Sequence, residues 1–467
     1  MVAPVPLFSY PAWVIGVFYG ILGLAGGALA AKYTYCIVVA THQAMGVRYS
    51  RVYEMILTGV AVSALGVGVL TAAGAVPFVD AYHFMPGAGW YTFVGAFIFG
   101  FGIMLGNGCM FGMLWKSGVG YVVNWLEILG MMLGTYIFAY PVFEGLRLGW
   151  WWRTTTFMSI ANGNSLNFVP YLLGGSRAAA LGVGALFFAG IMAAALWMRR
   201  NRLQFEAGGG KIYNSPYFTG TLFGLLMLAS FVFAAGHFFN YLGVTTPVGL
   251  FTEYLLYPFG VNLAGGGADW YATVPVVSAF TFFVLMVILG AYLYSTATGT
   301  FSVRLPSRTT NRAAEAAIAF AGGVILAIGA RMAQGCSVGG WWSGLAGLSL
   351  FGLVFTLGFI PGTIAGYYAY VGLSSWAASL KRSAVLPSRW DDWLSRHSRA
   401  LNLLFGVVLG LILIGVALEL PGLNAGAASA IKAPVLAQYQ AALLGWGVFA
   451  IVATLVIWGA RSYLLRS

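Results

Sequence analysis

Long apolar runs separated by short polar segments dominate the chain. A helix needs roughly 20 mostly apolar residues to cross the hydrocarbon core of a bilayer. Eleven runs approach or reach that length, at about 12–31, 53–75, 90–108, 121–141, 178–198, 217–238, 272–294, 313–333, 346–371, 400–418 and 440–460. Each predicts a helix, so the expected fold is an all-α polytopic membrane protein with about nine to eleven transmembrane spans.

The polar segments between the runs are asymmetric. One alternating set carries Lys32, Arg48, Arg51, Lys116, Arg199, Arg200, Arg202, Lys211, Arg304, Arg308, Arg312, Lys381, Arg382, Arg389, Arg396, Arg399, Arg461 and Arg466. The other carries Asp80, Glu144, Arg147, Arg153, Arg177, Glu253, Asp269, Glu419 and Lys432. Lys and Arg concentrate in cytoplasmic loops, which predicts a periplasmic N-terminus and a cytoplasmic C-terminus. The opening "MVAPVPLFSYPAW" lacks the positive n-region of a signal peptide.

Two of the runs are broken in the same way. "MLGNGCMFG" around Cys109 and "RMAQGCSVGG" around Cys336 each put a Gly before a Cys and another three residues after it. At an offset of 227 residues Gly102 falls on Gly329, Gly108 on Gly335, Cys109 on Cys336, Gly112 on Gly339 and Trp115 on Trp342. By the charge-based topology the run before Cys109 goes inward and the run before Cys336 outward. That is the sequence form of an inverted repeat, the plan of many secondary transporters. Backbone leaves a helix at membrane depth only where it is buried or lines a polar cavity. Two re-entrant half-helices meeting near the midplane satisfy that rule. The expected organisation is a first repeat half with its connecting helix (1–198), a cytoplasmic linker (199–215), a second repeat half (216–380) and a two-helix C-terminal extension (381–467).

Composition narrows the function classes. Of 467 residues 60% are hydrophobic and 7% charged, against about 25% charged in a soluble domain. The surface must face lipid. The 65 glycines and 16% aromatic residues suit close helix approach and interfacial anchoring. The net charge of +12 sits in short loops, where it signals topology and not nucleic-acid binding. No nucleotide-binding P-loop, zinc spacing or catalytic carboxylate pair is present, and no cofactor is expected.

Three cysteines cannot all pair within the chain. Matched glycine breaks point to thiols of Cys109 and Cys336 facing a permeation path, with Cys36 a third thiol at the cytoplasmic mouth, near His42 and Gln43. A thiol is soft, polarisable and a weak donor, suited to a solute ending in sulfur or to a soft metal. Lys116 follows Cys109 by seven residues and Arg331 precedes Cys336 by five. Either basic side chain attracts an anion or snorkels to an interface. Two positives and no neighbouring acid favour an anion, while Met104, Met110 and Met113 keep a metal permease open. "GHFFNYLGVTTP" places His237, Asn240, Thr245 and Thr246 at an outer loop or funnel. Glu127 is the one acid near the first break, for packing or for coupling.

"FGIMLGNGCMFGMLWKSGVG" and "AIGARMAQGCSVGGWWSGLAGLSLFGLVFTLGFIPG" resemble the YeeE/YedE family of bacterial inner-membrane sulfur transporters over about residues 12–372. Matching positions are Cys109 with Lys116, Gly329-Ala330-Arg331 with Cys336, and Cys36. The resemblance implies an hourglass of two pseudo-symmetric halves with re-entrant helices. It implies uptake of thiosulfate or a related sulfur anion along Cys336, Cys109 and Cys36, and a cytoplasmic TusA-like sulfur carrier as partner. The expected path is Cys36, Cys109, Cys336, Gly108, Gly112, Gly335, Gly339, Arg331 and Lys116. The alternatives are a membrane sulfurtransferase forming a cysteine persulfide, and a selenium-compound or soft-metal permease. Where the family shows Phe-Cys and then Arg-Asp, this chain has Tyr35-Cys36 and then Thr41-His42-Gln43.

Overall fold

The computed structural model describes residues 11–75, 88–138, 168–200, 212–234, 242–245, 247–248, 252, 279–306, 311–379, 389–426 and 433–464. The acidic loop residues Asp80, Glu144, Glu253 and Asp269, the basic residues Arg147, Arg153, Arg202, Lys211, Arg308, Lys381, Arg382 and Arg466, Lys432, and the loop residues His237, Asn240 and Thr246, lie outside them.

Among the described residues the fold is helical, with β-structure limited to two isolated bridges. The helices are α1 (Ala12–Tyr33), α2 (Ile37–Gly46), α3 (Arg51–Ala73), α4 (Trp90–Gly106), α5 (Met110–Val119), α6 (Val122–Ile137), α7 (Arg177–Arg200), α8 (Pro216–Ala234), α9 (Ala279–Thr298) and α10 (Arg312–Ala333). A π-turn over Ser337–Trp342 leads into α11 (Ser343–Ala346), followed by α12 (Leu350–Ser379), α13 (Arg389–Arg396), α14 (Ser398–Gly426) and α15 (Ala433–Leu464). A four-residue turn, Val169–Leu172, precedes α7.

Among the described residues ten stretches are long and apolar enough to cross a membrane, three of them interrupted by a break, and α6 is a shorter apolar helix. Local chemistry sets the helix ends. Asn311 caps α10 by accepting from the Ala313 and Ala314 N–H groups at 3.0 and 3.2 Å, the usual role of an N-cap side chain. Gly120 closes α5 at φ 103°, a conformation that costs glycine least. Pro361 sits inside α12, tolerated where neighbouring helices hold the freed backbone group.

Glycine sets the central packing. α4 and α10 run antiparallel, with Gly95 against Ala333, Gly102 against Leu326, Gly329 against Phe99 and Gly106 against Gly322. A methyl group on Gly95, Gly102, Gly322 or Gly329 would collide with the partner backbone, which is how small residues let membrane helices approach. α12 packs on α4, and α6 on α10, so residues from before and after the central linker share one core. α1 lies along α9, and α3 between α7 and α8. α14 and α15 pair with each other, and α15 rests on α1 and α9. The outer faces carry exposed apolar side chains such as Leu186, Trp197, Leu357, Leu411 and Val456, as contact with lipid requires.

Candidate functional site

The three cysteines share one local structure. α1 ends at Thr34 (φ 59°), α4 at Asn107 (φ 67°) and α10 at Gln334 (φ 56°), all left-handed. Two residues further, after Tyr35, Gly108 or Gly335, comes the Cys in extended backbone, as N-cap of the next short helical segment. In two breaks the thiol makes the cap: Cys109 Sγ accepts from Gly112 N and Cys336 Sγ from Gly339 N, both at 3.3 Å. Sulfur satisfies one of the N–H groups that a helix start leaves open.

The correspondence at 227 residues extends beyond the motif. Gly108 packs against Asn124 and Met113, and Gly335 against Phe351 and Gly340, the matching positions. After each short segment the chain is pinned by a bridge. Val122 N donates to Arg304 O, and Val169 N to Leu348 O, both at 3.0 Å. The two aligned tryptophans are anchors: Trp115 Nε1 donates to Tyr35 O at 3.0 Å and Trp342 Nε1 to Ser63 Oγ at 2.9 Å.

All three thiols are buried and free. Cys36 and Cys109 converge on Gly112. A methyl group there would lie 2.6 Å from the Cys36 sulfur and 3.2 Å from the Cys109 sulfur. Between the Cys109 and Cys336 breaks lies a cavity of about 30 Å³, walled by Phe111 from one and Val338 and Trp342 from the other, with Phe223, Met227 and Phe283. A water needs roughly 10–15 Å³ by the same measure, so the space is no larger than two or three waters, and its lining is apolar. Tyr35 bounds this aromatic cluster: its ring stacks on Phe223 at 3.9 Å and Trp342 at 5.4 Å and meets Phe111 edge-on at 6.1 Å.

The two basic side chains are buried and turned onto backbone carbonyls. Lys116 Nζ donates to Asn107 O at 2.6 Å, across the first break. Arg331, in the last turn of α10, donates to Thr245 O at 2.7 Å. His42 on α2 is half-buried between Tyr367 and Tyr370, with ring centroids 5.3 and 5.2 Å away. Met104, Met110 and Met113 are core residues. Among the described residues no three His, Cys, Asp or Glu side chains are placed to hold a metal ion.

Sequence reasoning missed the donors around the second break. Ser337 Oγ and Trp341 Nε1, like the Tyr35 hydroxyl, are buried without a hydrogen-bond partner. Ser337 and Trp341 fall within the motif quoted for Cys336, but only the fold shows that their donors are unused.

A helical bundle of about ten spans, with paired breaks that carry thiols and buried basic residues, is the architecture of a membrane transporter. The profile of the family described as "Sulphur transport" matches residues 34–365, and the chain belongs to that family. It is similar to the thiosulfate transporter TsuA of Escherichia coli (strain K12), at 27% identity over 332 residues, 68% of this chain and 84% of that protein. It is also similar to the probable transporter YedE of the same organism and of Salmonella typhimurium, each at 29% identity over 120 residues, 26% of this chain and 28% of the relative.

Proposed function

We propose that the protein carries thiosulfate or a closely related sulfur anion inward across the bacterial inner membrane, along a path marked by Cys336, then Cys109, then Cys36. Gly108, Gly112, Gly335 and Gly339 open the backbone beside the thiols. Arg331 and Lys116 supply positive field at the two breaks. The family and the likeness to TsuA support the solute class. The observation that carries the reading is the recurrence of one break geometry at all three cysteines, with two of the thiols converging on Gly112.

A thiol meets the terminal sulfur of the anion through a weak S–H contact. The unused Ser337, Trp341 and Tyr35 donors meet its oxygens. Buried donors without partners are costly, and an anion that accepts from them recovers that cost. The cavity between the breaks is too small for the anion in this state, so the aromatic ring of Tyr35, Phe223 or Trp342 moves for it to pass. The basic loops support an N-terminus in the periplasm, a C-terminus in the cytoplasm and Cys36 at the exit, where a small TusA-like thiol carrier would receive the product. Residues 1–198 and 216–380 act as two inverted halves around the path.

The test is uptake of thiosulfate labelled differently at its two sulfur atoms into cells that depend on it for sulfur. Both labels entering in equal amount support transport. Label released outside as sulfite would replace it with a sulfurtransferase.

A further inference from the structure

The structure assigns a second solute to the same protein: the proton. We propose that Glu127 on α6 is a proton-binding site coupled to the anion path, taking a proton as the anion occupies the Cys109 end and releasing it inward as the anion leaves. This rests on the transport reading above and adds its driving force.

Glu127 is fully buried. Its Oε2 accepts from Asn124 Nδ2 at 2.8 Å, and its Oε1 has no hydrogen-bond partner. The carboxyl lies against the first break: a methyl group on Gly108 would sit 2.6 Å from Oε2, and one on Gly106 would collide with Oε1. The acid is not needed to build a break. At the repeat offset of 227 residues, Glu127 corresponds to Val354, Asn124 to Phe351 and Lys116 to Ser343. The second break forms with a valine, a phenylalanine and a serine where the first has an acid, an amide and a lysine. A carboxyl at membrane depth with one neutral donor is costly to bury, and packing alone would favour the valine.

Two charged or titratable side chains flank the same break: Lys116 on α5, whose Nζ reaches Asn107 O, and Cys36 at the start of α2, whose sulfur lies against Gly112. α4 is uncharged along its length. α10 meets the Glu127 backbone through Gly323, and its charged residues Arg312, Glu315 and Arg331 lie eight or more positions away. α14 touches α6 through Phe405 on Trp125, six positions beyond Arg399. Lys116 and Glu127 thus both meet the backbone of the first break, at Asn107 and at Gly108. An anion arriving beside it makes a proton on Glu127 more favourable, and by reciprocity the proton tightens the anion.

The experiment uses the purified full chain in proteoliposomes with radiolabelled thiosulfate. Exchange without a pH gradient reports the path alone. The parent is expected to accumulate thiosulfate against its gradient when the outside is acidic, with apparent affinity changing by up to about tenfold per pH unit, the slope of one coupled proton. Glu127→Gln is expected to retain exchange and lose acid-driven accumulation. Accumulation by Glu127→Gln equal to the parent's overturns the proposal, as does a parent that exchanges thiosulfate but ignores the gradient. A parent that does not exchange at all counts against the transport reading instead. If Glu127→Gln does not fold, infrared difference spectra of the parent decide. Thiosulfate should raise the carbonyl band of a protonated carboxylic acid, and Glu127→Asp should shift it; no such band overturns the proposal.

Discussion

Gly112→Ala separates transport from stability. Its added methyl group would stand 2.6 Å from the Cys36 sulfur and 3.2 Å from the Cys109 sulfur. Ordinary carbon contacts begin near 3.5–4.0 Å, so the Cys36 sulfur must retreat by about 1 Å. That motion takes the thiol off its rotamer at about 0.5–1.5 kcal/mol. Replacing glycine by alanine within a helix returns about 0.8–1 kcal/mol. The two nearly cancel, so thermal unfolding in detergent should change little. Transport has no such compensation, because the methyl group occupies the point where two thiols meet. Losing one thiol contact, at about 1–2 kcal/mol, slows passage by about 5–30-fold. The assay is the initial rate of radiolabelled thiosulfate uptake, normalised to folded protein in the membrane. Uptake at the parent rate by a folded Gly112→Ala protein would refute the idea that the close spacing of Cys36 and Cys109 serves the solute.

Two further predictions address the scaffold and the charge. Gly102→Val drives a branched side chain into the backbone of Leu326 on α10, and overpacking of this kind costs about 1–3 kcal/mol or more. A clear fall in the detergent melting temperature is expected, and an unchanged one would mean the α4–α10 seam is looser than described. Arg331→Ala removes the donor to Thr245 O and one of the two buried positive charges at the Cys109 and Cys336 breaks. Uptake should fall several-fold with the protein still inserted, and loss of the protein from the membrane would show that this arginine is structural.

Much of the fold was legible because apolar length is a strong signal in lipid. The run predicted at 313–333 is α10 (Arg312–Ala333), the run at 178–198 is α7 (Arg177–Arg200), and the run at 53–75 is α3 (Arg51–Ala73). The two Cys breaks were visible for a different reason: their glycines mark places where a side chain has no room. What hydropathy could not show were the short helices α2, α5 and the Ser337–Ala346 segment. Each follows its span after a break of three residues, too short to stand out as a polar loop. Of the left-handed residues that end the preceding helices, Asn107 before Gly108 carries a turn signal, while Thr34 and Gln334 carry none. The kinship of Cys36 with the other two breaks was hidden for the same reason, since Tyr35 stands where they have Gly108 and Gly335. The partners of Lys116 and Arg331 are backbone carbonyls, and a sequence pattern carries no information about which carbonyl a long side chain reaches.

The most direct measurement is thiosulfate uptake by Cys109→Ala and Cys336→Ala, each shown to be folded and inserted. Both thiols are buried at matched breaks, and Phe111 after the first break and Val338 and Trp342 after the second wall one cavity, so on the thiol-path reading each substitution should abolish uptake on its own. Near-normal uptake by both variants would contradict the claim that the anion is passed from thiol to thiol.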